Sequence, residues 1–327
     1  MLLALLLLLQ DEVKVVDRGK LESALQMPVA FAPDGKSILY FKRDGAKFVY
    51  ALAGADGKPI RDVYTTAVDW DDMLNSTVGP SSFSADGKRV AALATKDDKG
   101  FRTERDRLRA AVCGEKVEKI DAEQDALSCA FAGDKLLFID GELVPNGFKL
   151  KLQDGAVLHE SATGLAFCLR ASPDGARAAF LVAVDKKNCV LRVVDLKSKA
   201  VVDSEEFRSD DVTFDGPPLF YWDAEGKSLF AHRTPDAGGK KPFTLVRFDI
   251  ASKKTEAVAE DVAVTAALDK DHLAVIVEKR GGVLRLSDRK TFLLPEGLII
   301  MGGAGRRVVV GDMKTHELRV VELEVPK

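Results

Sequence analysis

"FAPDGKSILYF" (Phe31–Phe41) is an apolar strand end, a tight turn and a second apolar strand, and the pattern recurs along the chain. "FSADGKRVAAL" (Phe83–Leu93), "ASPDGARAAFL" (Ala171–Leu181) and "WDAEGKSLFA" (Trp222–Ala231) repeat it. Shortened copies stand at "FAGDKLLFI" (Phe131–Ile139), "LDKDHLAVI" (Leu268–Ile276) and "GGAGRRVVV" (Gly302–Val310). The turn letters have a mechanism. Pro pre-sets φ, Asp bonds back onto its own backbone, and Gly accepts positive φ without a Cβ clash. Aligned on the turn, the acidic position reads Asp34, Asp86, Asp134, Asp174, Glu225 and Asp271, with Gly305 in the last copy. A ring of carboxylates could instead hold a metal, but the fixed offset to Gly and to a following strand favours turn chemistry.

Seven copies at a period of about 45 residues predict an all-β, seven-bladed β-propeller with one four-stranded blade per repeat. Third and fourth strands follow the repeat in alternating apolar and polar letters. Examples are "NCVLRVVDL" (Asn188–Leu196) with "KAVVDSEEF" (Lys199–Phe207), and "FTLVRFDI" (Phe243–Ile250) with "KTEAVAE" (Lys254–Glu260). The last blade runs out of chain after Glu317–Val325, one strand short. The segment Val13–Asp17 has nothing else to pair with, so we expect it to close the ring in that blade and remove two exposed edges.

The unit F-S/A-P/A-D-G-K followed by an apolar strand resembles the repeat of TolB-type and WD-repeat-like bacterial propellers, from Glu12 to the end of the chain. That resemblance implies the fold. The family includes periplasmic scaffolds, substrate-gating domains of peptidases and proteins of unknown role, so it implies no particular function. The Trp-Asp dipeptide of eukaryotic WD repeats is missing from the third strands.

Composition sets limits. The chain has 327 residues, 46% hydrophobic and 30% charged, with a net charge of −3, and that balance argues against nucleic acid as the main partner. Met1–Leu9 is apolar but too short to span a bilayer. It fits the apolar core of a secretory signal, yet no Lys or Arg follows Met1 and no small-x-small cleavage site precedes Gln10. The expected organisation is therefore a signal-like segment at 1–11 and one propeller domain at 12–327, exported to the periplasm or secreted if the run is a signal and cytoplasmic otherwise. A monomer is expected. Cys113, Cys129, Cys168 and Cys189 sit in apolar runs without metal or redox spacing and read as buried thiols.

Signals for chemistry are weak. No G-x-S-x-G elbow is present, and His159, His232, His272 and His316 are isolated. "GGAGRR" (Gly302–Arg307) sits where a turn is due, so no phosphate loop and no cofactor is expected. Asp125 and Asp261, at the starts of inner strands, are weak candidates for a metal or acid pair. The longest connections carry the best candidates for contact with a protein, peptide or glycan: Asp69, Trp70, Asp71, Asp72, Arg102, Arg105, Asp210, Asp211, Arg233, Lys240 and Lys241. Three readings follow. The leading one is a non-enzymatic binding or scaffold propeller. The others are a lactonase-like or other hydrolase with its site at the channel mouth, and a structural subunit of a cell-envelope assembly.

Overall fold

The computed structural model describes residues 12–22, 29–45, 47–66, 82–95, 107–142, 144, 146–185, 188–208, 220–233, 244–277 and 280–326. Among these residues there is no α-helix, and none is long and apolar enough to cross a membrane. The strands form seven antiparallel sheets. The chain is a seven-bladed β-propeller.

Blade 1 comprises Ala30–Phe31, Ser37–Asp44, Lys47–Gly54 and Pro59–Thr66. Blade 2 has Val90–Ala94, Arg109–Cys113 and Val117–Ile120, its first strand reduced to the single bridge Phe83–Val90. Blade 3 is Asp125–Ala132, Lys135–Gly141, Phe148–Leu152 and Val157–Ser161. Blade 4 is Leu165–Ala171, Arg177–Ala183, Asn188–Asp195 and Val201–Asp203, with Phe207–Arg208 also pairing to its third strand. Blade 5 is Phe220–Trp222, Ser228–Arg233, Thr244–Asp249 and Lys254–Glu260. Blade 6 is Val262–Ala267, His272–Val277, Arg280–Arg285 and Lys290–Leu293. Blade 7 is Leu298–Ala304, Arg307–Asp312 and Leu318–Glu324, and its outer strand is Lys14–Lys20 from the other end of the chain.

That outer strand is longer than the Val13–Asp17 expected, and it touches three blades. Val13 N–H donates to Leu293 O of blade 6 at 3.0 Å. Lys14 to Lys20 then pair with Glu324 back to Arg319. At the far end Gly19 and Gly57 of blade 1 cross backbone to backbone. A Cβ on Gly19 would lie 1.9 Å from Asp56 O, and one on Gly57 would lie 2.9 Å from Lys20 N. Only glycine fits on either side of that crossing.

Apolar side chains gather between blades rather than inside them. Phe148 of blade 3 meets Phe180 of blade 4 edge to face at 5.5 Å. One cluster joins blades 3 to 5, another blades 1 to 3, a third blades 5 to 7 together with Val13, and a fourth blades 7 and 1. Inner strands also exchange polar contacts: Leu169 N–H donates to Ser128 Oγ at 3.0 Å, and Trp222 Nε1–H to Arg170 O at 3.2 Å. The first strands thus surround the propeller axis.

Candidate functional site

The two ends of the propeller differ. At one end lie the turns between strands one and two and between strands three and four, and the backbone ties the two sets together blade by blade. Ala55 N–H reaches Lys36 O at 2.9 Å, Gln153 N–H reaches Leu136 O at 3.0 Å, and Leu196 N–H reaches Ala176 O at 3.0 Å. Ile250 and Leu286 make the same bond to Lys227 and Asp271. The aspartates of the full-length turns cap backbone: Asp34 Oδ1 takes Lys36 N–H at 2.9 Å, Asp86 Oδ1 takes Lys88 N–H at 3.0 Å, and Asp174 Oδ1 takes Ala176 N–H at 3.0 Å. Ser84 and Ser172 hydroxyls donate to Asp86 and Asp174 as well. The Ser84 bond, followed by the Lys88 N–H, holds the Asp86 carboxyl below the usual carboxylate range. Burial pushes Asp174 up, but Ser172 and Ala176 N–H bring it below that range.

The degenerate copies depart from the sequence alignment. Ala132 pairs directly with Lys135, so blade 3 turns in two residues, Gly133 and Asp134, with positive φ at the glycine only, which is the type II′ pattern. Blade 7 does the same with Gly305 and Arg306. In blade 5 the capping carboxylate is Asp223, not Glu225, which pairs with Lys227 instead. In blade 6 it is Asp269, which takes Asp271 and His272 N–H, while Asp271 holds Ser287. Asp134, Glu225, Asp271 and Gly305 are therefore not equivalent to Asp34.

An arginine two residues past the turn glycine latches onto the next blade in three repeats. Arg89 Nη2 donates to Asp134 O and Oδ1, each at 3.1 Å. Arg177 Nη1 donates to Gly226 O at 2.8 Å, and Arg307 Nη1 to Gly35 O at 3.3 Å across the closure. A groove of about 160 Å³ opens at this end between blades 6 and 7, lined in part by Asp269, His272, Arg285 and Pro326. These groups already serve one another: His272 Nδ1 lies 3.0 Å from Asp269, and Arg285 holds Asp288 and Pro326 O.

Strand alternation places the remaining connections at the opposite end. Of the residues singled out from sequence, Arg233 is described: it ends the second strand of blade 5, is exposed, and pairs with Thr244. Asp69, Trp70, Asp71, Asp72, Arg102, Arg105, Asp210, Asp211, Lys240 and Lys241 lie outside the described residues. Asp125 and Asp261 do not share a blade, Asp125 beginning blade 3 and Asp261 lying between blades 5 and 6. Asp125 Oδ1 accepts Leu108 N–H at 2.6 Å, and Asp261 takes φ 59° between blades 5 and 6. No group of three His, Cys, Asp or Glu among the described residues is placed to hold a metal. The four histidines lie in blades 3, 5, 6 and 7 and do not converge.

Sequence reading passed over two buried cations. In blade 3 Lys151, 6% exposed at the side chain, donates to Asp140 Oδ2 and to Glu123 Oε1, both at 2.7 Å. Asp140 also accepts Glu123 and Gln124 N–H at 2.9 Å, so the pair pins the link between blades 2 and 3. Hydrogen bonds from Lys151 and then Lys149 hold the Glu123 carboxyl down at about 2. In blade 4 Arg170 is buried against Tyr221. The only sequence signal for either was a charged letter inside an apolar run, "LKL" and "CLRA".

No disulfide joins the four cysteines, and all four are buried. Burial, with Cys168 nearby, pushes the Cys189 thiol up to about 12, and burial pushes Cys129 upward too. Because the thiolate is the nucleophile, a thiol-labelling reagent at pH 8 should modify none of the four in the folded protein and all four in urea. Fast labelling without denaturant would contradict the burial of these side chains.

No protein-family model matches the chain, and no curated protein matches it. Solved structures do. The β-propeller domain of Cps50 (Swd1) from Myceliophteria thermophila aligns over 95% of this chain and 100% of its own, with a TM-score of 0.59 at 7% identity. The β-propeller domain of the Trilobed protease from Pyrococcus furiosus, described as having an open velcro topology, aligns over 97% of each chain with a TM-score of 0.55 at 14% identity. TolB from Acinetobacter baumannii aligns over 87% of this chain and 78% of its own, with a TM-score of 0.43 at 13% identity. The first two likenesses show the β-propeller fold of this chain. At such identities the likeness concerns architecture alone.

Proposed function

We propose that the protein is a non-enzymatic binding or scaffold propeller that meets a protein, peptide or glycan partner through the end carrying its long connections. One observation carries this reading: at the other end the turns of blades 1, 2 and 4 are capped by their own carboxylates, and arginines latch three of the turns onto the next blade. Such turns leave few free groups for a partner. Length and unusual residues are concentrated in the opposite connections, and long loops on a rigid scaffold are where binding sites gather. Trp70 is the proposed anchor. The other tryptophan, Trp222, is buried with its indole N–H given to Arg170 O. The charged candidates at positions 69–72, 102, 105, 210, 211, 233, 240 and 241 would form the rim around it. Residues 1–11 are proposed as an export segment, with the propeller from residue 12 onward working outside the cytoplasm.

The test is a pull-down with the full chain, followed by affinity measurement on the partner obtained. Trp70→Ala should weaken binding by about 1–2 kcal/mol, while Lys36→Ala and Lys88→Ala in the short turns should change it by less than about 0.5 kcal/mol. If the turn variants lose affinity and Trp70→Ala does not, the wrong end has been assigned.

A further inference from the structure

Arg170 lies on the first strand of blade 4, nearest the axis, and is 3% exposed. Its guanidinium carbon stands 4.2 Å from the Tyr221 ring centroid and 5.8 Å from that of Phe220, both on the first strand of blade 5. Nε and Nη2 are buried and meet no hydrogen-bond acceptor among the described residues. Stacking on aromatic faces recovers part of the lost hydration, but it gives these N–H groups nothing to donate to.

The identity of the two unpartnered atoms is informative. Nε–H and the neighbouring Nη2–H point the same way and form the fork that takes both oxygens of one carboxylate. Among the described residues two other arginines use that fork. Arg192 gives Nε and Nη2 to Asp203 at 2.8 and 2.6 Å, and Arg285 gives the same pair to Asp288 at 2.9 and 2.7 Å. The backbone bearing Arg170 is also held from both sides. Cys168 and Leu169 bulge opposite Phe180, with Cys168 at φ 59°, and bulges of this kind re-aim the side chains beside them. Ser128 of blade 3 fixes Leu169 N–H, and Trp222 of blade 5 fixes Arg170 O.

We propose that the Arg170 fork is a binding site for a carboxylate ligand, seated near the propeller axis between blades 4 and 5. This site is separate from the loop-end surface, and neither depends on the other.

The test uses the full chain at pH 7, where acetate is ionised. Thermal unfolding is followed in sodium acetate against sodium chloride at equal ionic strength, and denatured protein is searched by mass spectrometry for a released carboxylic acid. The wild type should show a saturable rise in Tm of about 2 °C or more in acetate, or release a carboxylic acid in about one-to-one ratio. Arg170→Lys keeps the charge but not the fork, and Arg170→Met keeps neither; both should lose the response and the released acid. If Arg170→Met does not fold, Arg170→Lys decides. A wild type with neither response nor released acid overturns the proposal, as does a response that survives in both variants. A third result also overturns it: acetate sensitivity appearing only after Asp210, Asp211 and Asp215 are changed to Asn, which would mean that the chain fills its own fork.

Discussion

Deleting residues 1–18 should lower the free energy of unfolding by about 3–5 kcal/mol, read from urea titration of the truncated and intact chains. The estimate rests on burial and edges. Val13 is 1% exposed and packs in the cluster of blades 5 to 7 that includes Val321 and Leu323. Without the strand, the Leu318–Glu324 edge is left bare and its apolar face meets water. The ion pairs Lys14–Glu324 and Arg18–Glu322 add little, because all four side chains are well exposed. A single-residue version isolates the crossing with blade 1: Gly19→Val places a branched side chain where Asp56 O already stands and should cost at least about 2 kcal/mol. Truncation that left the urea midpoint unchanged would show that the ring does not need this strand.

Lys151→Met should cost about 3–5 kcal/mol, because it leaves the Asp140 carboxylate, 2% exposed, without its cation. Two backbone N–H groups would remain on Asp140, too few to replace an ammonium. Changing Asp140 to Asn as well should restore part of the loss, since the charge left alone by the first change is then gone. A double variant that loses the full sum of the two single effects would show that the side chains act independently. The same cluster sets an acid limit. The Glu123 carboxyl is held at about 2, below its ordinary value near 4.5, by Lys151 and Lys149. A depressed carboxylate stabilises the fold above its unfolded pKa, and that contribution fades as pH falls from about 4.5 through 2. Lys151→Met should therefore flatten the pH dependence of stability in that window. An unchanged acid profile would exclude Lys151 as the cause.

Much of the fold was legible because the turn is made of residues with few alternatives. Asp-Gly before an apolar strand marks the same corner in blades 1, 2 and 4, and the glycines there have φ of 67°, 70° and 67°. Where the corner tightened to two residues, at Gly133 and Gly305, the letters slid by one and the alignment of carboxylates failed. The missing fourth strand of blade 7 was legible by counting strands. Its reach from Leu293 to Asp56 was not, because contacts with neighbouring blades depend on sheet twist rather than on period. Interior charges were the least legible. Arg170 and Lys151 look like the polar letters of half-buried strands, and only the packing of neighbouring blades encloses them. As for the proposed contact surface, long loops could be found by length, but no periodic rule says how such loops are arranged.

The closing strand has a consequence for the order of assembly. Lys14 is synthesised 310 positions before its partner Glu324. Until Leu318–Glu324 has been made the ring cannot close, and the earlier segment has no strand of blade 7 to pair with. Its letters suit that wait: "KVVDRGK" has four charged residues in seven, which keeps a lone strand from pairing with other chains. Contacts of such long sequence separation are slow to find. Refolding should accordingly show blade formation first and annulus closure as the late, rate-setting event, with the arc vulnerable to proteases until Lys14–Lys20 meets Leu318–Glu324.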